Sequence, residues 1–290
     1  MILLFGDSWA RHSTKHVVDT ESQNSATLSG PRDNPTRLGY RHWKFDDIFV
    51  EFQTDDWFNS YFTKNPVINF AEFGNTNSWI IENLFSRVVG ISNFDQPLNI
   101  VVFQTDPLRI FAPRADFTNI DIVWPNFEKW CKEKNFDYHT QDLDALINVL
   151  LRDFYIQLLS FESYAEHLLK KPVKIFLVGG VSKVHSSCPD ILTTIIPSVT
   201  EFFGYTEDLV FESHLALHRF LGFWMNKVSS SQKLKLLKQW HYYDQAITKK
   251  TDYWSNNSQY FAGRHLTSQA FSQLANHIEY CISQYYNSQQ

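Results

Sequence analysis

Four short runs of almost unbroken apolar residues constrain this chain more than any other feature: ILLF at 2–5, PVINFA at 66–71, NIVVFQ at 99–104 and VKIFLV at 173–178. A strand with one wet face alternates apolar and polar residues, whereas a run that is apolar throughout reads as a strand covered on both faces. The intervals between the runs are long enough for helical crossovers. One interval carries a clear pattern, in which Leu143, Leu146, Leu150, Phe154, Leu158, Phe161, Ala165 and Leu168 recur at three- and four-residue steps across 142–171. Pro172 ends that helix and opens the next run. A second helix is expected after Thr267, its cap, with Phe271, Leu274, Ile278 and Cys281 on one stripe. Strands joined by helices predict an α/β fold, a three-layer α/β/α sandwich around a parallel sheet of about five strands. Ligands of such sheets gather at the C-terminal edge of the strands.

The 290 residues are read as a single domain over 1–290, with a helical insertion around 180–260 that includes an aromatic helix near 215–226. The polar, Gly- and Pro-containing stretch 20–40 reads as a long loop inside the first crossover. The 25 Phe, 13 Tyr and 9 Trp are expected chiefly in the core. A net charge of −5, with no Lys/Arg cluster, argues against nucleic acid or an anionic membrane as partner. Cys131, Cys188 and Cys281 are too widely spaced for a disulfide framework or a metal knot, and are expected as buried thiols. The first apolar run stops at Phe5, too short for a leader peptide, and no run approaches the length of a membrane span. A cytoplasmic protein is therefore expected.

The first run ends in FGDSW, residues 5–9, so that Ser8 follows a strand directly and Gly6 permits a tight exit. A serine hydroxyl reacts when a base lies within hydrogen-bond reach and donors are ready for the oxyanion that forms. Among the eleven histidines, His265 in GRHLTSQAF stands out, because it precedes the C-terminal helix where a side chain can reach back over the sheet edge.

These blocks resemble those of the SGNH (GDSL-type) hydrolases, whose flavodoxin-like fold matches the pattern above. FGDSW is similar to the nucleophile block, which implies Ser8 as nucleophile, with its own N–H as an oxyanion donor and Asp7 beside it. NFAEFGNTN at 69–77 looks like the second block, implying a second donor in the Gly74 N–H, with Asn75, Thr76 and Asn77 supporting the loop through side-chain hydrogen bonds. AGRHLT at 262–267 matches the final block, with His265 as base. The resemblance implies cleavage of an acyl ester, on a small molecule or a glycan, without metal or organic cofactor.

Two departures stand out. The family's third block is Gly-x-Asn-Asp, with the Asn completing the oxyanion hole; the matching stretch here is Gln104-Thr105-Asp106-Pro107. An ionised Asp106 would repel an oxyanion, so either Gln104 substitutes as the donor, or Asp106 is protonated or turned away. The final block in the family is Asp-x-x-His, and Ala262 stands at the acid position. Disabling the analogous acid of a serine protease costs roughly 10⁴ in turnover. Three accounts of Ala262 are open: an inactivating change, another acid such as Asp106 or Asp252 serving His265, or a non-catalytic relative that binds or builds rather than cleaves. The first is preferred, since DGRHLT would complete the block.

Other patterns are weaker. His12/His16 and His214/His218 have helical spacing but no further ligands nearby, so no metal site is expected. Asn256-Asn257-Ser258 fits a glycosylation sequon. Arg109 and Arg264 flank the proposed site and could grip an anionic substrate group, and Trp9, Trp79 and Phe111 could form a platform, with solvation and core packing respectively as the ordinary alternatives.

Overall fold

The computed structural model describes residues 1–7, 10, 58–71, 75–88, 97–112, 119–206, 209–262 and 265–289. Five strands, β1 (Ile2–Phe5), β2 (Val67–Asn69), β3 (Leu98–Gln104), β4 (Val173–Gly179) and β5 (Thr193–Ile196), form one parallel sheet in the order β2-β1-β3-β4-β5. This is the flavodoxin-like order. The continuous apolar runs are explained by burial on both faces: β1 and β3 are buried along their whole length. Alternate residues serve opposite layers, Leu3, Phe5, Ile100, Val102, Ile175 and Leu177 on one face and Ile2, Leu4, Val101, Phe103, Phe176 and Val178 on the other.

The first face is covered by α1 (Asn77–Val88), α2 (Ile120–Lys134) and α3 (Leu143–Leu169). Asp142 caps α3, its side chain accepting the Ala145 N–H at 3.2 Å, and Lys170 ends the helix in the left-handed conformation at φ 52°. With 27 residues α3 is about 40 Å long, against about 23 Å for the seven-residue β3. Tyr155 of α3 meets Gln104 at the end of β3, so the N-terminal half of α3 projects past the sheet's C-terminal edge.

There it meets α6 (Ser230–Asn256), whose Gln239 accepts the Leu143 N–H at 3.0 Å, while α5 (His214–Met225) packs on α6 and on α2; both follow the one-turn α4 (Val199–Phe202). An aromatic cluster fills this extension, with Phe127 5.0 Å from Phe220 and 5.4 Å from Trp224, centroid to centroid. The region 180–260 is thus largely helical, but it also supplies β5. Thr193–Ile196 is only intermittently buried and lies just before Pro197, so it lacks the apolar run that marked the interior strands.

The second face is covered by α7 (Ser268–Asn287), capped by Thr267 through the Ala270 N–H at 3.2 Å. Its stripe is Phe271, Leu274, Ile278 and Ile282; Cys281 falls beside it and is only partly buried, as is Cys188, while Cys131 is buried. The direction of α7 is fixed at both ends. Phe271 packs on Phe58 at 5.0 Å, and Phe58 on Phe103 near the end of β3 at 5.7 Å. Tyr286 donates to Asn99 Oδ1 at the start of β3, at 2.8 Å. The helix therefore runs antiparallel to β3, with its N-terminus at the sheet's C-terminal edge. Among the described residues, no helix is long and apolar enough to cross a membrane.

The fully buried Glu279 of α7 accepts N–H groups from Lys64 at 2.8 Å, Asn65 at 3.0 Å and Thr63 at 3.3 Å, fastening the approach to β2. Glu279→Gln replaces one of these accepting oxygens with a donor. It is expected to lower stability in urea denaturation by about 1–3 kcal/mol, whereas a change within about 0.5 kcal/mol would contradict this clamp.

Candidate active site

The strand order reverses between β1 and β3, since the chain steps from β1 outward to β2 and then returns to the other side of β1. A parallel sheet opens a crevice at the C-terminal end of such a switch point. Gly6-Asp7 leaves β1 on one side of it and Thr105-Asp106 leaves β3 on the other. Ser8 follows Asp7 in sequence and lies outside the described residues, as do Trp9, His12, His16, Gly74 and Arg264.

The two strand exits are drawn together sterically and by side-chain amides. A Cβ at Gly6 would stand 2.8 Å from the Cβ of Phe103 and 2.9 Å from that of Ala10, so only glycine allows β1 to end this close to β3. Buried Asn75 donates to Gly6 O at 2.9 Å. Asn69 donates to Ala10 O at 2.7 Å and accepts the Ala71 N–H at 2.9 Å. Asn77, at the start of α1, accepts the Thr105 N–H at 2.9 Å and donates to Thr105 O at 3.2 Å. Thr76 accepts the Trp79 N–H at 3.0 Å. Three asparagines thus satisfy backbone groups that the sheet ladder leaves behind.

Gln104 and Asp106 are both buried, and both are occupied. Gln104 donates to Lys183 O at 2.8 Å and accepts the Tyr155 phenol at 2.6 Å, tying β3 to α3 and to the segment after β4. Burial pushes the Tyr155 phenol above its ordinary range, so it remains a donor. Asp106 caps the 3-10 helix Pro107–Phe111, accepting the Leu108 N–H at 2.9 Å on one oxygen and the Glu212 N–H at 3.1 Å on the other. Burial, and then the Glu212 carboxylate, push Asp106 up to about 7 against the opposing pull of those N–H groups and of Arg109.

Arg109 forms an ion pair with Glu212. Burial works against its charge, yet Glu212, with Asp7 and Asp106 beyond it, holds the guanidinium above its ordinary range. Its fork is therefore engaged with the Glu212 carboxylate. Lys250 of α6 is buried, donates to Val181 O, and is pushed by burial down to about 7 against the attraction of Glu212 and Asp106. Sequence reasoning passed over Glu212 and Lys250. Lys250 had a signal, since it stands on the buried stripe Tyr243, Ile247, Lys250 and Trp254 of α6. Glu212 had none, because its partners lie more than a hundred residues away.

His265 lies in β7 (His265–Leu266), which pairs antiparallel with β6 (Phe261–Ala262) immediately before the Thr267 cap of α7. His265 thus stands on a short paired strand. Residues 262 and 265 are direct cross-strand backbone partners. Of the alternative acids, Asp252 is exposed on α6, and Asp106 has both oxygens on backbone N–H groups.

Phe111 is core, packed on Phe127 at 5.3 Å and Trp130 at 5.7 Å. His218 meets Asp244 at 2.5 Å, and among the described residues no group of three or more His, Cys, Asp or Glu is placed to hold a metal ion.

No protein-family model matches the sequence, and no curated protein matches it. Among solved structures, the chain is similar to a protein described as a "putative acylhydrolase" from Bacteroides fragilis, at 12% identity and a TM-score of 0.35, over 98% of this chain and 86% of that one. At that TM-score the likeness says nothing of activity, and the fold stands on its own topology.

Asp106 provides a pH test. Its folded pKa is raised above the unfolded value of 3.8 to about 7, so its contribution to stability is present in full below about 4 and is lost as pH rises through 7. Asp106→Asn is expected to flatten that fall between pH 4 and 7 in denaturation measured across pH. A wild-type and variant difference that is constant over that range would contradict the assignment.

Proposed function

We propose that the chain is an ester hydrolase of the SGNH type acting at the β1/β3 crevice. Ser8 Oγ attacks the acyl carbon while His265 takes its proton. The tetrahedral intermediate collapses as the ester C–O bond breaks, and His265 returns the proton to the departing alcohol. Water, deprotonated by the same imidazole, then releases the acid from Ser8. The N–H groups of Ser8 and Gly74 serve as oxyanion donors. Gln104 uses one of its two amide N–H groups on Lys183 O, so it serves as the third donor only through the other.

The observation supporting this reading most is directional. α7 runs antiparallel to β3 and starts at the sheet's C-terminal edge, so His265 is delivered to the edge at which β1 ends three residues before Ser8. The hairpin register supports it too, because the acid position of the final block, 262, is the cross-strand partner of 265.

A second reading is a non-catalytic protein that keeps this fold for binding. Ala262 favours it, as does the occupation of Gln104 by Lys183 and Tyr155.

The two separate experimentally. Ala262→Asp is expected to raise turnover of p-nitrophenyl acetate by roughly 10³–10⁴, with Ser8→Ala abolishing the gain. A fluorophosphonate probe should label Ser8 in the same variant. No Ser8-dependent turnover on acetyl, butyryl or acetylated-sugar esters, together with no labelling, would leave the binding reading.

A further inference from the structure

Charged side chains from separate parts of the chain meet at the C-terminal edge: Asp7 after β1, Asp106 and Arg109 after β3, Glu212 just before α5, and Lys250 in α6. Asp7, Asp106 and Lys250 are each no more than 3% exposed. Charges held this far from water interact much more strongly than they would at a surface, and each depends on the state of the others. The wiring is explicit. Glu212 engages the strand end twice, through its carboxylate on Arg109 and its N–H on Asp106. Lys250 is anchored on Val181 O, beyond the end of β4, and its ammonium attracts both Glu212 and Asp106.

We propose that Glu212 and Lys250 are opposed positioning residues, through which the accessory helices set the pH at which negative charge appears on Asp106 beside the crevice. Among the described residues, Glu212 and Arg109 act on Asp106, and Lys250 is attracted to it. Glu212 resists ionisation of Asp106 directly by repulsion, and indirectly by engaging Arg109, which would otherwise serve Asp7 and Asp106 alone. Asp106 attracts the Lys250 ammonium, and because a Coulomb attraction is mutual, that ammonium favours ionisation from the α6 side. Removing the Glu212 charge therefore makes Asp106 easier to ionise, and removing the Lys250 charge makes it harder. Residues with a merely structural role would not shift one titration in opposite senses.

The consequence for chemistry rests on the hydrolase reading. Asp106 stands at the third-block position, where negative charge opposes a developing oxyanion. Activity of the Ala262→Asp protein should then fall as pH rises through the titration of Asp106.

The test does not depend on catalysis. The full-length protein is labelled with ¹³C at aspartate side-chain carboxyls, the Asp106 signal is assigned by its loss in Asp106→Asn, and its titration is followed by NMR. Glu212→Gln, which keeps the N–H donated to Asp106, is expected to move the midpoint about one pH unit toward acid, and Lys250→Met about one unit toward alkali. If Lys250→Met does not fold, Lys250→Gln is read in its place. Shifts in the same sense, or midpoints unmoved within about 0.3 units, would overturn the proposal. In the Ala262→Asp background, the alkaline limb of kcat/KM should follow the same two shifts. Opposed NMR shifts without any esterase activity would uphold the charge wiring and count against the hydrolase reading alone.

Discussion

A side chain on residue 6 would collide with Phe103, and that close approach governs what the C-terminal edge of the sheet can become. Because β1 and β3 separate only after passing each other at Gly6, the segments beyond them, Asp7 onward and Thr105 onward, emerge as neighbours. Asn75 and Asn77 hold this geometry by bonding backbone groups on the two exits, one on Gly6 and the other on Thr105. Each amide occupies buried backbone groups that would otherwise cost roughly 1–3 kcal/mol apiece. A site built on these exits inherits the rigidity of the sheet rather than the freedom of a loop.

Above this edge the protein places charge where most folds place hydrocarbon. Burying ions is expensive unless each finds partners, and removing one partner costs more than the pair contributes. Arg109, Glu212, Asp106 and Lys250 meet that requirement collectively, with backbone groups of Leu108, Glu212 and Val181 completing the set. The arrangement joins the strand ends to helices that arrive late in the chain. The accessory helices are therefore electrostatic neighbours of the crevice as well as packing partners of α2 and α3.

The strands of the sheet interior were legible because burial on both faces leaves no polar residue in β1 or in the centre of β3. β5 was not, since an edge strand half open to water looks like its surroundings. The amphipathic stripes of α3 and α7 and the Thr267 cap follow directly from spacing, whereas two-residue strands such as those that pair 262 with 265 are too short to leave a period. The supporting roles of Asn75 and Asn77 could be read from residue type. Gln104 and Asp106 could be flagged as departures, but their commitments to Tyr155, Lys183 and Glu212 span tens to a hundred residues and leave no periodic trace. The same holds for Glu212. Lys250 was visible only as a cation on an apolar stripe.

The central claim is that the hydroxyl following β1 and the imidazole preceding α7 share one edge of the sheet. A crystal structure of the Ala262→Asp protein measures this directly as the distance from Ser8 Oγ to His265 Nε2. The account predicts about 2.6–3.2 Å, or a separation bridged by a single water. A distance beyond about 8 Å, with no hinge able to close it, would contradict the account.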